Sequence, residues 1–137
     1  MTADHVNLDQ KRAAFAWTRL KQHGVTQEYA NLAKSAPALV MTSGLMQVLA
    51  FLQDKADNKK SEPARVLAED LRAWLGETVT ALDLQPGAGG DPGYVATMEA
   101  LYAADVRTYR RATNEALAIL RWLRQFAPTL VDDKEAS

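Results

Sequence analysis

Apolar residues recur along the chain at spacings of three and four, and no stretch alternates apolar and polar positions as a β-strand does. This pattern predicts an all-α fold. Start and stop signals divide the chain into helices over about 8–23, 26–35, 36–55, 61–82, 91–104 and 105–127. We therefore predict a single compact bundle of five or six helices over residues 8–127, with tails at 1–7 and 128–137.

Capping residues set the predicted boundaries in the first half of the chain. Asn7 and Gln10 have the spacing of a capping box, and Thr26 can cap the second helix. Pro37 favours the start of the third helix, because proline is tolerated in a first turn. Gly44 would then lie inside the third helix, as a bend or a point of close packing.

Two stretches lack a hydrophobic period and are predicted to be loops. Residues 53–61 are polar, and residues 85–93 are rich in glycine and proline, with Asp91 placed to cap the fifth helix. Backbone amides of glycine-rich loops can bind phosphate, but no strand precedes this one and no Gly-Lys-Ser/Thr follows it. We interpret it as a structural linker, and the sequence assigns no functional role to residues 86–93.

The predicted last helix has an apolar and a basic face. At 100° per residue one side carries Tyr109, Ala112, Ala116, Ile119, Leu120, Trp122, Leu123, Phe126 and Ala127. The other side, an arc of about 140°, carries Arg107, Arg110, Arg111, Arg121 and Arg124. Glu115 lies near the border. Since like charges on one face repel, two interpretations stay open: a solvated face, or a surface that binds an anion.

Charge is segregated elsewhere too, although the net charge is only -1. Residues 73–106 contain five acidic residues and no Lys or Arg, while residues 11–21 contain four basic residues and no acidic one. The chain has no cysteine, which excludes disulfides, thiol catalysis and cysteine zinc sites and agrees with a cytoplasmic protein. The apolar run 36–52 is too short and too polar to predict a membrane span.

The first helix and the loop offer further cations. Lys11, Arg12 and Arg19 lie away from a predicted buried stripe of Ala13, Ala16, Trp17 and Leu20, and Lys55 belongs to a lysine-containing segment. Phe15 projects among the basic residues, where it would either stack on an unpaired base or, as we favour, pack against a neighbouring helix or subunit. The predicted anion-binding set is Lys11, Arg12, Arg19, Lys55, Arg107, Arg110, Arg111, Arg121 and Arg124.

Catalytic constellations are missing from the sequence. His5 and His23 have no Cys, Ser or carboxylate at diagnostic spacing and are interpreted as surface residues. The acidic pairs Asp132-Asp133 and Glu69-Asp70 are adjacent, so their side chains point in different directions. We therefore predict a protein that is not an enzyme and needs no cofactor or metal. A helical small-molecule enzyme, with a pocket built from tyrosines or histidines, has the least support.

These residues, in this order, resemble a known family. The elements that carry the resemblance, between Leu8 and Ala127, are Gln10-Lys-Arg-Ala13, Pro37, Ser43-Gly-Leu45, Phe51-Leu52, Lys55, Trp74-Leu75, Tyr109-Arg110, Glu115-Ala-Leu117, Trp122-Leu-Arg124 and Phe126-Ala127. The chain is similar to the small helical subunit of the type III-B CRISPR RNA-guided effector, the Cmr complex. The glycine-rich loop is not part of that pattern.

The resemblance implies a non-catalytic subunit that stacks with copies of itself, contacts other Cmr subunits and helps to line the groove for guide RNA and target RNA. Such a lining would bind RNA through backbone shape and charge. The alternative is a helical adaptor whose arginines meet an acidic protein partner without RNA. For the arginines of the last helix, RNA, a neighbouring subunit or a division between the two all remain open.

Overall fold

Six α-helices make up most of residues 6–131, which are the residues described by the computed structural model. The helices are α1 (Leu8–His23), α2 (Gln27–Ser43), α3 (Leu45–Asn58), α4 (Glu62–Thr78), α5 (Tyr94–Ala103) and α6 (Val106–Phe126). Short 3-10 segments occupy Thr80–Leu82, Ala88–Gly90 and Ala127–Leu130. The prediction of an all-α bundle is confirmed. The predictions for His5 and for Asp132-Asp133 lie outside the described residues.

The helix starts follow the predicted capping chemistry. The side chain of Asn7 accepts a hydrogen bond from the backbone N–H of Gln10, and the Gln10 side chain bonds back to the N–H of Asn7. Thr26, Ser61 and Asp105 likewise accept a backbone N–H in the first turns of α2, α4 and α6. Each cap satisfies an amide that has no partner inside its own helix.

The predicted boundary between the second and third helices is wrong. Pro37 lies inside α2, which continues to Ser43, and the break falls at Gly44. Gly44 has a φ of 92°, a left-handed conformation that favours glycine. Its N–H closes α2 by bonding to the carbonyl of Val40 at 2.9 Å. A single residue with left-handed backbone therefore ends one helix and begins the next.

The loop predicted over residues 53–61 is mostly helical, because α3 continues to Asn58. Its polar residues pair along the helix at a spacing of four, Gln53 with Asp57 at 3.0 Å and Asp54 with Asn58 at 2.5 Å. Such pairs stabilise a helix surface without any apolar pattern. Only residues 59–61 connect α3 to α4.

The end of α4 and the start of α5 also differ from the prediction. Helix α4 ends at Thr78, and Thr80–Leu82 form a 3-10 turn instead of a further helical turn. Asp91 does not cap α5, whose N-terminal cap is Gly93. The Asp91 carboxylate is instead bound by Arg72 in α4, which gives the acid a stronger partner than a helix terminus.

Helices α4 and α6 form the centre of the bundle. Helix α6 packs against α1, α2 and α4, and α4 also packs against α2 and α3. The largest fully buried apolar side chains include Leu20, Leu45, Leu49, Leu52, Leu67, Leu71, Leu75, Leu101, Ile119, Leu120 and Leu123. This packing buries the apolar face of α6 and directs its basic face to solvent.

Helix α1 covers this centre with an incomplete stripe. Ala16 and Leu20 are buried as predicted, but Trp17 is 42% exposed and its ring meets Phe126 edge-on at 5.2 Å between centroids. The indole of tryptophan is large, so it is rarely buried completely. Beyond α6, Val131 forms a parallel β-bridge with Val25.

Candidate nucleic-acid interface

Five arginines of α6 define the basic face: Arg107, Arg110, Arg111, Arg121 and Arg124. All five are exposed, as the helical period predicts. Within residues 6–131 none of the five forms a salt bridge. One has a partner of another kind, since the Arg111 guanidinium donates to the carbonyl oxygen of Thr78 at 3.2 Å and so caps the last turn of α4.

The basic face has two clusters. Arg107, Arg110 and Arg111 lie in the first two turns of α6, and Arg121 and Arg124 lie in its last two. With a rise of 1.5 Å per residue, ten residues separate Arg111 from Arg121 by about 15 Å along the axis. The first cluster places positive charge at the positive end of the helix dipole, which increases its potential for anions.

The first cluster forms one wall of an open groove between α6 and the start of α1, which we call the basic groove. It is lined by Leu8, Arg12, Val106, Arg107, Arg110, Arg111, Asn114 and Glu115. Four guanidinium groups and one carboxylate therefore share the groove. Its net charge makes it the strongest candidate for an anion site in the described part of the chain.

The one carboxylate of the basic groove is neutralised within the molecule. Arg12 holds Glu115 through two hydrogen bonds, Nε to Oε1 at 3.1 Å and Nη2 to Oε2 at 2.6 Å. The indole N–H of Trp74 also donates to Oε1, at 3.0 Å. Burial, the largest influence, would raise the pKa of Glu115, but these bonds outweigh it and hold that pKa below its ordinary value of 4.5.

Arg19 belongs to a second buried network, which we call the Asp70 network. The Asp70 carboxylate is fully buried, and Arg19 donates to its Oδ1 at 2.8 Å. Its Oδ2 accepts from the hydroxyl of Tyr29 at 2.6 Å and faces Nε2 of His23 at 2.9 Å. Arg19 also reaches the carbonyl of Gly89 at 2.5 Å. The network thus joins α1, α2, α4 and the glycine-rich loop.

The sequence did not reveal these networks. His23 is exposed, as predicted for a surface residue, but its ring also bonds a buried carboxylate, which the sequence does not indicate. The partners lie 41 to 51 residues from Asp70 along the chain, so no local spacing marks them. The one available signal was an acid on the apolar side of α4, between Leu67 and Leu71. Such a residue needs a buried partner.

Phe15 packs as the favoured interpretation predicts. Its ring lies 4.9 Å from that of Trp74, and the Arg19 guanidinium lies 5.5 Å above it. Of the remaining predicted cations, Lys11 is exposed in the first turn of α1. Lys55 lies near the end of α3 with its ammonium 5.8 Å from the Phe51 ring, and it does not line the basic groove.

The glycine-rich loop folds over α1 and α4 as a structural segment. Arg72 holds Asp91 through two bonds, at 2.9 and 2.8 Å. The amides of Gly87 and Gly90 are bonded to carbonyls inside the loop, and that of Gly93 bonds to the Asp91 carboxylate. Those donors are consumed internally, which supports the linker interpretation over a phosphate loop.

Residues 6–131 contain neither a metal-binding cluster nor a membrane-spanning helix. No group of three or more His, Asp or Glu side chains there is arranged to hold a metal ion. None of the helices there has the length and apolar content required to cross a membrane.

Comparison with known proteins gives two findings. The family model for the CRISPR-associated protein Cas_Cmr5 matches residues 8–130. A protein of Thermus thermophilus, the CRISPR system Cmr subunit Cmr5, is 33% identical to this chain over 106 residues, which cover 77% of each sequence. The matched region contains all six helices and every arginine of the basic face.

Proposed function

Because this chain belongs to the Cas_Cmr5 family of CRISPR-associated proteins, we propose that it is a non-catalytic small subunit of the type III-B Cmr effector complex. In this role it binds the guide-target RNA duplex through the basic face of α6 and contacts other Cmr subunits in the cytoplasm. Copies of the chain stack along the complex, and the acidic stretch 73–106 of one copy faces basic residues of the next copy.

RNA binding, as part of this proposal, is supported by one observation: among residues 6–131, no arginine of the basic face forms a salt bridge with a carboxylate. Arg12, Arg19 and Arg72 each hold an acid inside the molecule. The five arginines of the basic face have no such acid among the described residues. Because like charges on one helix face repel one another, an external polyanion relieves that repulsion, and phosphates suit guanidinium groups in charge and geometry.

The arrangement also indicates which features of RNA are bound. Two clusters about 15 Å apart along one helix match a charged backbone better than a single phosphate. Exposed guanidinium groups on phosphates carry no sequence information, so sequence would come from guide-target pairing. Arg12 and Arg19 then act chiefly by holding α1 in place, while Lys11 and Lys55 add weaker, more distant charge.

The test replaces Arg107, Arg110, Arg121 and Arg124 with glutamate and measures RNA affinity. Binding to duplex and single-stranded RNA is expected to be lost, with the helical circular dichroism unchanged. Before substitution, affinity is expected to fall steeply with salt, and each removed phosphate contact reduces the slope of log affinity against log salt by about 1. Unchanged affinity in the quadruple variant would reject the basic face as the RNA surface.

A matched control separates this surface from a general charge effect. The pairs R107E/R110E and R121E/R124E change the net charge by the same amount as K59E/K60E, which alters the exposed connection between α3 and α4. We expect each arginine pair to weaken RNA binding and the lysine pair to leave it nearly unchanged. Equal loss in all three would indicate nonspecific electrostatics.

The adaptor alternative gives a different pattern in the same samples. If the arginines meet an acidic protein, the purified chain has no salt-sensitive affinity for RNA, and the reversed variant loses a protein complex. Affinity purification from the native host decides between the two: recovery of guide RNA with larger Cmr subunits supports our proposal, and a protein complex without RNA supports the adaptor.

A further inference from the structure

A second groove, the Tyr102 groove, lies on the other side of the ridge that borders the basic groove. The ridge consists of Val106, Arg110 and Asn114, which follow one another at a spacing of four on α6 and line both grooves. Residues of α3, α5 and α6 form the floor and walls of the Tyr102 groove, chiefly Met46, Leu101, Tyr102 and Tyr109. Its open volume is about 660 Å³, which is in the range of ligand sites.

Apolar side chains form much of the surface of the Tyr102 groove. Tyr102 is 70% exposed and Val106 is 70% exposed, among the highest values for large apolar residues in the described chain. No acidic residue lines this groove. The nearby Asp105 carboxylate accepts the N–H of Thr108 and lines a separate cleft with Ala100 and Ala103. An exposed aromatic surface beside arginines thus has no carboxylate within it.

The wall formed by Tyr109 is held in a fixed position. Gly44 gives α3 no side-chain cap, and the Tyr109 hydroxyl oxygen instead accepts the backbone N–H of Met46 at 3.3 Å. This bond satisfies one of the free amides at the start of α3 and fixes the ring against that helix. One wall of the groove is therefore fixed before any ligand binds, which lowers the entropic cost of binding.

The chemistry of the two grooves together favours one occupant. A nucleobase has an apolar face that stacks on tyrosine and a polar edge that suits the amide of Asn114, and it is joined to a phosphate. With the base in the Tyr102 groove, its phosphate would lie beside Arg110 on the ridge or Arg107 in the basic groove. An acidic peptide would neutralise the arginines, but it stacks on Tyr102 only where it also carries an aromatic or proline side chain, whereas every nucleotide carries both a flat base and a phosphate.

We propose that an unpaired RNA base stacks on Tyr102 in this groove while its backbone phosphates contact Arg110 on the ridge and Arg107 beyond it. The proposal rests on RNA binding by the basic face and extends it, because it assigns a binding site to single-stranded RNA that a perfect duplex cannot fill. Bases in a duplex are already stacked on one another and do not reach the groove.

The test compares Tyr102→Leu and Tyr102→Trp with the unchanged protein. Tyr102→Leu keeps the groove apolar but removes the aromatic face, so affinity for single-stranded oligoadenylate is expected to fall about tenfold. Tyr102→Trp is expected to retain the affinity, and a blunt RNA duplex is expected to bind all three proteins equally. A 2-aminopurine base in the single strand reports stacking directly through loss of its fluorescence.

The matched control is Val95→Ala, which removes an exposed apolar side chain from α5 outside the groove. It is expected to leave both RNA affinities unchanged. If the unchanged protein binds no RNA at all, the proposed function fails. If it binds RNA and Tyr102→Leu binds the single strand equally well, this proposal alone is overturned. If Tyr102→Leu instead reduces self-association without changing RNA affinity, the groove belongs to a second copy of the chain, which also overturns it.

Discussion

Two groups of arginines in this molecule differ in what surrounds them. Arg12, Arg19 and Arg72 each bind a carboxylate of the same chain at 2.6 to 2.8 Å, and their side chains are 6 to 19% exposed. The arginines of the basic face are exposed, and residues 6–131 supply them with no salt bridge. The first group joins helices to one another and to the loop, and the second presents charge to solvent.

The difference teaches that a carboxylate from another part of the chain decides the role of these eight arginines. Glu115 lies on α6 between the two clusters of the basic face, but it is buried and is bound by Arg12 from α1. Removing the carboxylate partner of an arginine in the first group leaves buried donors unpaired, whereas removing an arginine of the second group breaks no salt bridge among the described residues. The two groups should therefore separate cleanly in stability and binding measurements.

The largest expected effect comes from removing Asp70. Asp70→Ala leaves Nε of Arg19 and the buried Tyr29 hydroxyl without their acceptor. We expect the free energy of unfolding to fall by roughly 3 kcal/mol or more, because losing one partner of a buried ion pair leaves the rest uncompensated. Urea denaturation followed by circular dichroism measures this change.

The neighbouring Glu69 provides the control for Asp70. It is partly exposed and has no salt bridge among the described residues. Glu69→Ala is expected to change the free energy of unfolding by less than about 0.5 kcal/mol. Similar losses in the two variants would show that the Asp70 network stabilises the fold no more than an exposed residue does. The conclusion that the first group of arginines joins the helices would then be wrong.

A smaller effect separates the two groups directly, with one alanine in each. Arg12→Ala leaves Glu115 with Trp74 as its remaining donor, so we expect a loss of about 2 kcal/mol in the free energy of unfolding. Arg107→Ala is expected to cost less than about 0.5 kcal/mol. RNA affinity should show the reverse order. A larger effect of Arg12→Ala on RNA binding, with its stability unchanged, would move Arg12 to the second group.

Local chemistry explains which parts of the fold could be predicted. The caps at Asn7, Thr26 and Asp105 depend on residues three apart, so the sequence shows them directly. The boundary near Pro37 could not be placed in the same way, because tertiary packing of α2 tolerates a proline that lacks one helical hydrogen bond. The left-handed backbone at Gly44 is visible only in the structure.

The candidate site, like the fold, could be predicted only where local sequence determines it. The exposure of Arg107, Arg121 and their neighbours follows from helical period alone. The pairing of Arg12 with Glu115 joins residues 103 positions apart, and the Arg19 pair spans 51, so no spacing in the sequence distinguishes these arginines from free ones. Side-chain periodicity predicts a face, but only the three-dimensional packing shows which charges are neutralised.

The smallest expected effect is the pH dependence of stability. Burial lowers the pKa of His23, but the hydrogen bond and charge of Asp70 outweigh it, so the pKa in the folded protein lies above 6.5. The stability that protonated His23 contributes is fully present below pH 6.5, the pKa of the unfolded chain, and is lost as the pH rises through the pKa of the folded protein. The pKa values of Glu115 and Asp91 are lowered, so their contributions are present above about pH 4.5 and lost at lower pH.

Stability is therefore expected to be highest between these limits, near pH 5 to 6, and to decline slightly toward pH 8.5. The decline due to His23 should be about 0.5 kcal/mol, since the ring is partly exposed and its attraction to Asp70 is partly screened. Urea denaturation at pH 5.5 and 8.5 measures it, and His23→Gln should abolish the difference because glutamine can still donate to Asp70 but cannot titrate. An equal decline in that variant would mean that the histidine does not gain charge beside Asp70, and the network would then consist of Arg19 and Tyr29 alone.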